Sequence, residues 1–375
     1  MLPWDFILHE LPDGNSTLRE RRVTTGQAYR MTSEDNLIER IARAIPSDGS
    51  DVLSGDKLRL GIGDDAAVVA QGARSEWVLS CDAFLEGVHF LASGYPADSV
   101  GFKSLARTAS DLAAMGSTPR FFMLTLALPT SHVGAWLNEF LRGMGRAARQ
   151  LGMRLIGGDT TKSATVFISI TVLGEIAPGL AVSRSGARPG DIIYVSGRLG
   201  EAQLGLELVK NGALRTARRR LRSRFDLLKP HLYPQIRVEL GSWLARQRVA
   251  SAMMDVSDGL STDLARLCAA SGAGARIWAD RIPCVRIPAG ASGKLPRHLA
   301  KLKLDPLQLA LHGGEDYELL FTVSPKNAKR LRRAPGFSEI TAIGEIERGK
   351  NVVLVDANGS AKRLVSGGWD PFHKK

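Results

Sequence analysis

Aspartates follow apolar, strand-like segments at four places in the chain. These are LRLGIGDD, ending in Asp64 and Asp65, WVLSCD, ending in Asp82, RLIGGD, ending in Asp159, and SAMMDVSDG, with Asp255 and Asp258. A further carboxylate, Asp111, interrupts the largely apolar helical segment TASDLAAMG. One such aspartate is typical of a turn or a helix cap. Four similar places together predict a ligand site, because binding sites in α/β sheets form where strands end.

This set of carboxylates predicts metal-dependent chemistry on phosphates. Carboxylates brought close together repel one another unless a cation lies between them. Oxygen ligands without a cluster of His and Cys favour Mg²⁺ or Mn²⁺ over zinc. Mg²⁺ is usually held by a few carboxylates together with substrate phosphates. The residues therefore predict an enzyme that transfers or cleaves phosphate groups.

The common motifs of other enzyme classes are absent. The chain contains no GxxxxGK[ST] loop, no GxGxxG opening a helix, no HRD and DFG pair and no GxSxG. Its three cysteines, Cys81, Cys268 and Cys284, are far apart in the sequence. Neither a zinc site nor a disulfide is therefore expected.

Length and composition predict a cytoplasmic protein of two domains. The 375 residues correspond to about two domains of ~150 residues each. The hydrophobic fraction of 44% is normal for a globular protein, and no apolar run approaches the ~20 residues that span a membrane. The first thirty residues mix arginines with acidic residues and show no signal-peptide pattern.

The net charge of +12 favours anionic ligands such as nucleotides. Much of this charge lies in the run Arg215–Arg224, RTARRRLRSR, which is typical of a solvated helix face or loop. Neither an RNP-like aromatic pattern nor a finger spacing accompanies the run. Nucleic acid is therefore a minor alternative as a partner.

Strand-like and helix-like segments alternate after a polar, aperiodic stretch over residues 1–30, which we interpret as a flexible extension. The first helix is predicted to begin near Ser33. The alternation starts again after the turn-rich segment SRSGARPGD at 183–191. These patterns predict an α/β (α+β) fold, with an N-terminal domain over residues 31–178 and a C-terminal α/β domain over residues 179–375.

Seven motifs occur in the order found in one enzyme family. They are GIGDDAAVV, CDAFLEGVHF, SLARTASDLAAMGSTPRF, LIGGDTT, SRSGARPGD, DVSDGLSTDL and GGEDYELLF. Over about residues 33–372 the chain resembles the thiamine-monophosphate kinases. These belong to the superfamily of aminoimidazole ribonucleotide synthetase and selenophosphate synthetase.

The resemblance implies a fold and a reaction. The fold is a two-domain synthetase-like fold, in which the N-terminal sheets of two copies form a barrel across a homodimer and the C-terminal domain completes the active site. The reaction is a direct, in-line transfer of the γ-phosphate of ATP to thiamine monophosphate, with Mg²⁺ as the cofactor. Metal ions and positioning would supply most of the catalysis.

The resemblance also implies roles for individual residues. The implied metal ligands are Asp64, Ser80, Cys81, Asp82, Asp111, Asp159, Asp255 and Asp258, of which Asp64, Asp82, Asp111 and Asp159 would be catalytic. The implied nucleotide contacts are Gly158, Asp159, Arg184 and Ser257, and the implied substrate contacts are His89, Glu315 and Trp369. An aromatic ring at position 369 is physically suited to a cationic thiazolium ring.

One motif departs from the family pattern at Cys81. The family commonly carries Ser/Thr-Thr before the aspartate, whereas this chain carries Ser80 and Cys81. A thiol is a poor Mg²⁺ ligand. Position 81 would therefore contribute its backbone carbonyl, or one metal contact would be weaker.

Two alternatives remain open from the sequence. Another ATP-dependent synthetase of the superfamily is one, although the segment before Met31 has no cysteine for selenium chemistry. A non-catalytic nucleotide- or RNA-binding homologue that uses the basic run is the other. The number of carboxylates argues against it, because a binding module has little use for them.

Overall fold

The computed structural model describes residue 38 and residues 57–92, 94–211, 222–287 and 302–372, with only the backbone for 222–226. The predicted extension over residues 1–30 lies outside these residues. So do the predicted N-cap Ser33 and residues 215–221 of the basic run.

The first half of the described chain forms a six-stranded mixed sheet in the order β1-β2-β3-β6-β4-β5. Only the pair β4–β5 is parallel. The strands are β1 Leu58–Leu60, β2 Ala67–Ala70, β3 Glu76–Leu85, β4 Thr118–Leu128, β5 Arg154–Lys162 and β6 Phe167–Ile176.

Two helices, α1 (Ala97–Ala114) and α2 (Ala135–Leu151), pack with this sheet around a common core. Helix α1 is buried on most of its surface, because α2 and the strands pack on different sides of it. Its Leu105 and Leu112 belong to the same core as Ile170 of the central strand β6. Helix α1 is therefore the element through which the sheet and the outer helix fix one another.

The second half of the described chain forms a seven-stranded sheet in the order β13-β12-β9-β11-β7-β10-β8, in which only β9 and β12 pair in parallel. The strands are β7 Ile192–Val195, β8 Ala250–Val256, β9 Gly274–Trp278, β10 Glu318–Val323, β11 Thr341–Glu347, β12 Val352–Val355 and β13 Ala361–Arg363. The helices are α3 Glu201–Lys210, α4 Arg222–Leu232, α5 Val238–Arg246, α6 Leu260–Ser271, α7 Pro306–His312 and α8 Pro325–Ala328. Two mixed sheets with their helices make this a two-unit α/β architecture.

Two strand ends differ from the prediction. Strand β3 runs past Asp82 to Leu85, and β5 runs past Asp159 to Lys162. The reason is that both strands keep their ladder partners on β6 and β4, so pairing does not stop at the carboxylate. Asp82 and Asp159 therefore lie within strands, where alternation along the strand decides which face each side chain takes.

The helical segment over Pro325–Arg333 is an α-helix only in its first part. It ends as an α-helix at Ala328 and continues as a 3₁₀ helix over Lys329–Arg333. Within the described residues, no helix combines the length and the apolar character that crossing a membrane requires.

Helices α1 and α2 approach so closely that glycine is required at their contact. A Cβ on Gly143 would lie 1.8 Å from the carbonyl oxygen of Asp98, and one on Gly101 would lie 1.9 Å from that of Phe140. Both contacts involve helix backbone, which cannot move away without separating the helices. Gly145, two residues along α2, would meet only the Arg149 side chain at 3.5 Å.

We expect Gly143→Ala to lower the free energy of unfolding by about 1–3 kcal/mol, because the new methyl group overpacks the contact. The matched variant Gly145→Ala should raise it by up to about 1 kcal/mol through helix propensity. Denaturant unfolding at one protein concentration measures both. Equal stability of the two variants would contradict the close approach of α1 and α2.

Candidate active site

Three carboxylates converge where the two halves of the chain meet. Asp65 follows β1, Asp111 lies in the last turn of α1, and Asp255 lies near the end of β8. Each offers an oxygen within 4.8 Å of the others. Asp111 and Asp255 are predicted ligands, whereas the family resemblance implies Asp64 rather than its neighbour Asp65.

Each of the three carboxylates has a fixed partner. The Ser80 hydroxyl donates to Asp111 and the Ser110 hydroxyl donates to Asp255, both at 2.5 Å. Arg184 donates from Nε and Nη2 to one oxygen of Asp65, at 2.9 and 2.5 Å. The partners orient the carboxylates towards one another and leave other oxygens available.

The proximity and burial of these groups change their acidity. Burial raises the pKa of Asp65 to about 7, although the nearby Arg184 opposes the shift. Burial also raises the pKa of Asp255 to about 6 and raises that of Asp111, to which the charge of Asp82 adds. Without a cation, these groups therefore hold protons at pH values where free carboxylates do not.

A divalent cation fits the chemistry of this carboxylate set. The Oδ2 atom of Asp65 is buried and has no hydrogen-bond partner among the described residues. Oxygen ligands alone, without His or Cys, suit a hard cation such as Mg²⁺. Asp65, Asp111 and Asp255 are the residues that would hold it.

Asp64 has a different neighbourhood from the one expected. Its carboxylate accepts the backbone N–H of Arg184 at 3.0 and 3.1 Å and that of Asp65 at 3.0 Å. Asp64 thus fixes the SRSG segment from the second half of the chain next to the carboxylates. The predicted phosphate contact Arg184 instead has its guanidinium on Asp65.

Strand β3 presents Ser80 and Asp82 on one face and Cys81 on the other. The Cys81 sulfur lies near Ser169 and Thr171 of β6, at 3.5 and 3.4 Å, and the residue is exposed. This places the thiol away from the face on which Ser80 contacts Asp111. A role for Cys81 through its backbone carbonyl stays a prediction.

Glu315 contacts two buried side chains, Lys103 and His231, that were not predicted from the sequence. Lys103 Nζ lies 2.7 Å from one carboxylate oxygen, and His231 Nδ1 lies 3.2 Å from the other. His231 also meets the Tyr95 hydroxyl at 3.0 Å through Nε2. Burial alone would raise the pKa of Glu315, but Lys103 and His231 outweigh burial and hold it below its ordinary value.

His89 follows β3 and lies on the same side as this network. Its Nδ1 accepts the backbone N–H of Leu85 at 3.0 Å, so in the neutral ring the proton is on Nε2. Burial first, and the charge of Arg107 second, lower the pKa of His89 to about 4. The ring is therefore a neutral donor at physiological pH.

The turn at Ser257 and Asp258 is fixed by a residue that was not predicted. Buried Asp263 accepts the backbone N–H groups of residues 257, 258 and 259, at 3.0 to 3.1 Å. The Asp258 carboxylate pairs with Arg266, and its carbonyl accepts the backbone N–H of Trp369 at 3.0 Å. The turn thus links Asp258 to the C-terminal segment, where the Trp369 side chain is exposed.

Gly158 and Asp159 lie apart from the carboxylate set. Both are exposed on the outer strand β5, and two strands, β6 and β4, separate them from Asp82 on β3. Gly158 has a φ of +150°, and a Cβ there would lie 1.9 Å from the Leu124 carbonyl oxygen. Within one chain the structure therefore does not bring Asp159 to the other predicted ligands.

The spacing of residues along α1 could have revealed Lys103. Lys103, Arg107 and Asp111 occur at every fourth position of this largely apolar helix, which places them on one face. That face carries the contact to Glu315 at one end and the Asp111 carboxylate at the other.

Comparison with family models agrees with this architecture. The model described as AIR synthase related protein, N-terminal domain, matches residues 63–176. The corresponding C-terminal domain model matches residues 188–357. Together these matches include most of both sheets.

Individual relatives show which family among the AIR synthase related proteins includes this chain. Thiamine-monophosphate kinase of Escherichia coli (strain K12) is 36% identical over 341 residues, which cover 90% of this chain and 98% of the relative. That of Aquifex aeolicus (strain VF5) is 34% identical over 311 residues, which cover 83% and 92%. The chain belongs to the thiamine-monophosphate kinase family. The sequence resemblance is thereby confirmed.

Solved structures of the thiamine-monophosphate kinase family share the fold. AaThiL complexed with AMPPCP and TMP aligns with a TM-score of 0.75 and 30% identity, over 93% of this chain and 100% of that one. The enzyme from Stenotrophomonas maltophilia K279a aligns with a TM-score of 0.65 and 36% identity, over 87% and 96%. These relatives support a kinase over the two alternatives, another synthetase of the superfamily or a non-catalytic binding homologue.

We expect Lys103→Met to lower the free energy of unfolding by about 3–5 kcal/mol, because it leaves the Glu315 charge without its buried cation. The double variant Lys103→Met, Glu315→Gln should lose less than the sum of the single variants. Denaturant unfolding of all four proteins measures this coupling.

A surface pair provides the control. Arg142 and Glu139 are both exposed and lie 2.6 Å apart on α2, so Arg142→Met should change stability by less than about 1 kcal/mol. Additive losses at Lys103 and Glu315 would contradict the buried ion pair.

Proposed function

We propose that this chain transfers the γ-phosphate of ATP to thiamine monophosphate and releases thiamine diphosphate and ADP. The observation that carries the proposal is the convergence of Asp65, Asp111 and Asp255 in a fold shared with a relative complexed with AMPPCP and TMP. Because the reaction consumes ATP, we place it in the cytoplasm.

The acceptor needs little activation in this reaction. A phosphate monoester has a second pKa near ~6 and is largely ionised at neutral pH. The obstacle is instead the repulsion between anionic groups that must meet in line. The protein's task is therefore to hold both phosphates and to offset their charge.

We assign Mg²⁺ to the carboxylates at the metal end of the site. Asp65, Asp111 and Asp255 would hold it, with Asp64, Ser80, the Cys81 carbonyl, Asp82 and Asp258 as the further ligands that the family resemblance implies. Asp159, which the resemblance also implies, would join them only from a second copy of the chain, because β6 and β4 separate it from β3. Bound Mg²⁺ neutralises charge on the transferring phosphate and orients it. Arg184, Gly158 and Ser257 would contact the nucleotide.

The acceptor end is assigned to His89, Glu315 and Trp369. His89 would donate from Nε2 to the acceptor phosphate, because its Nδ1 is occupied by Leu85. Glu315, kept ionised by Lys103 and His231, would attract the cationic thiazolium ring. Trp369 would stack on the same ring through a cation–π contact.

We further propose a homodimer in which the N-terminal sheets form a barrel, with domains over residues 31–178 and 179–375. All nine residues of the outer strand β5 are exposed, including Leu155 at 56% and Ile156 at 54%. An exposed outer strand that carries large apolar side chains is a pairing surface that proteins normally cover. A second copy would cover it and would bring a copy of Asp159 to this surface.

The activity assay is direct. Purified protein with ATP, Mg²⁺ and thiamine monophosphate should form thiamine diphosphate and ADP, and chelation of Mg²⁺ should stop the reaction. Asp65→Asn and Asp111→Asn should each lower kcat by about 10²-fold or more, because charge neutralisation is lost. The exposed Asp280→Asn should leave it unchanged.

Two results would count against this assignment. A wild-type protein that forms no thiamine diphosphate would overturn the function. Full activity of Asp65→Asn would remove Asp65 from the metal end and return the role to Asp64.

The dimer is tested by charge on the exposed strand. Ile156→Lys should convert a wild-type dimer to monomer at micromolar concentration, because lysine on an edge strand opposes pairing. Val133→Lys, at an equally exposed apolar residue away from β5, should not. Sedimentation measures both, and a monomeric wild type would contradict the barrel.

A further inference from the structure

Arg107 lies midway between the two ends of the proposed site. It occupies the turn of α1 between Lys103, which holds Glu315, and Asp111 of the carboxylate set. At a rise of ~1.5 Å per residue, each is about 6 Å from Arg107 along the helix axis. The residue is therefore one turn from the acceptor end and one turn from the metal end.

The guanidinium is fixed in place but only partly used. Nη1 donates to the Ala83 carbonyl at 3.0 Å, and the group lies over the Phe84 ring at 5.4 Å. Nε lies 3.5 Å from the Asp82 carboxylate, yet it is buried without a hydrogen-bond partner among the described residues. An arginine side chain has five N–H donors. Within the described residues, the Arg107 side chain uses one of them in a hydrogen bond.

Burying an arginine in this way lowers the free energy of unfolding unless a ligand accepts hydrogen bonds from its remaining N–H groups. A buried donor without a partner loses the hydration it would have in the unfolded chain. The side chain retains 17% exposure, so it is not closed off from a ligand. Asp82, Tyr317, Glu315 and Asp111 act on its charge, and its charge in turn acts on His89 and Lys103.

We infer that Arg107 is a catalytic residue whose guanidinium contacts the phosphoryl group as it passes from nucleotide to acceptor. The inference rests on the proposed function. An oxygen of the acceptor phosphate forms a bond to the γ-phosphorus while the bond from that phosphorus to the β–γ bridging oxygen breaks, and ADP leaves. Arg107 gives up no proton and offsets the negative charge on the three transferring oxygens.

Lysine would not replace this group fully. The planar fork of arginine can donate two parallel hydrogen bonds to phosphate oxygens, whereas lysine is a point charge. The carbonyl and ring contacts hold the guanidinium in place, and Nε is left without a hydrogen-bond partner among the described residues. A merely structural arginine would need these anchors but not the unused donors.

The test compares Arg107→Gln and Arg107→Lys with wild type and with Arg276→Gln, a control from an ion pair on the second sheet. We expect Arg107→Gln to lower kcat about 10²-fold or more. The KM for ATP and the Kd for AMPPCP with Mg²⁺ should stay within about threefold, because the contact is made mainly in the transition state. Arg107→Lys should recover part of kcat, and Arg276→Gln should match wild type.

Five outcomes separate the possibilities. A loss of kcat with retained AMPPCP binding and an unchanged Tm supports the inference. Equal loss of AMPPCP binding, Tm and kcat in both Arg107 variants overturns it in favour of a structural role, and an active Arg107→Gln overturns it outright. If Arg107→Gln does not fold, Arg107→Lys decides, and wild-type kcat in that variant overturns the bidentate contact. A wild type that forms no thiamine diphosphate removes the proposed function and this inference with it.

Discussion

Electrostatic repulsion among Asp65, Asp111 and Asp255 is the constraint on which the candidate site depends. Three carboxylates, two buried and one half-buried, whose oxygens lie within 4.8 Å of one another cannot all stay ionised without compensation. The fold supplies a hydroxyl donor to two of them and the Arg184 guanidinium to the third. Burial is the main cause of their raised pKa values, and these donors do not offset it. A divalent cation, which this set of oxygen ligands fits, would supply positive charge at the same place.

Helix α1 holds the charged side chains of the site at fixed positions. Its core side holds the helix against β3, β6 and α2, and glycine contacts leave no room for sliding. One face then presents Lys103, Arg107 and Asp111 at a fixed spacing of one turn. The distance between the proposed acceptor end and the proposed metal end is therefore set by backbone hydrogen bonds rather than by flexible side chains. In-line transfer needs such fixed separation, because small displacements of reacting groups cost much of the rate.

Local patterns in the sequence predicted much of the fold and part of the site. Alternation of strand and helix signals located the principal elements, and the motif order located Asp111, Asp255 and Glu315. The choice between Asp64 and Asp65 could not be made from the sequence, because both precede the same strand and only tertiary contacts separate them. Lys103 and His231 were missed for a related reason. Their role depends on a contact with Glu315 across more than eighty residues of chain.

Strand ends were the other failure, and it has a physical cause. A carboxylate within a strand does not end the strand when the residues on both sides of it still pair with the neighbouring strand. The residues of β3 before and after Asp82 pair with β6 in this way. The strand then continues, and alternation rather than termination separates Ser80 and Asp82 from Cys81. The sequence left open whether Cys81 contributes its side chain or its backbone carbonyl. The structure places the thiol on the face of β3 away from Asp111.

The carboxylates belong to different halves of the chain, so the site also joins the two halves to one another. Asp65 and Asp111 come from the first sheet and its helix, whereas Asp255 and Arg184 come from the second half. The bonds Arg184–Asp65 and Ser110–Asp255 already join the halves where the ligand would bind. A cation held by Asp65, Asp111 and Asp255 would add a further link at the same place. Binding of metal to the folded protein must then stabilise the junction as well as the fold, because any ligand that binds only the assembled site favours that assembly. The geometry for phosphate transfer and the cohesion of the two halves thus rest on the same few oxygens.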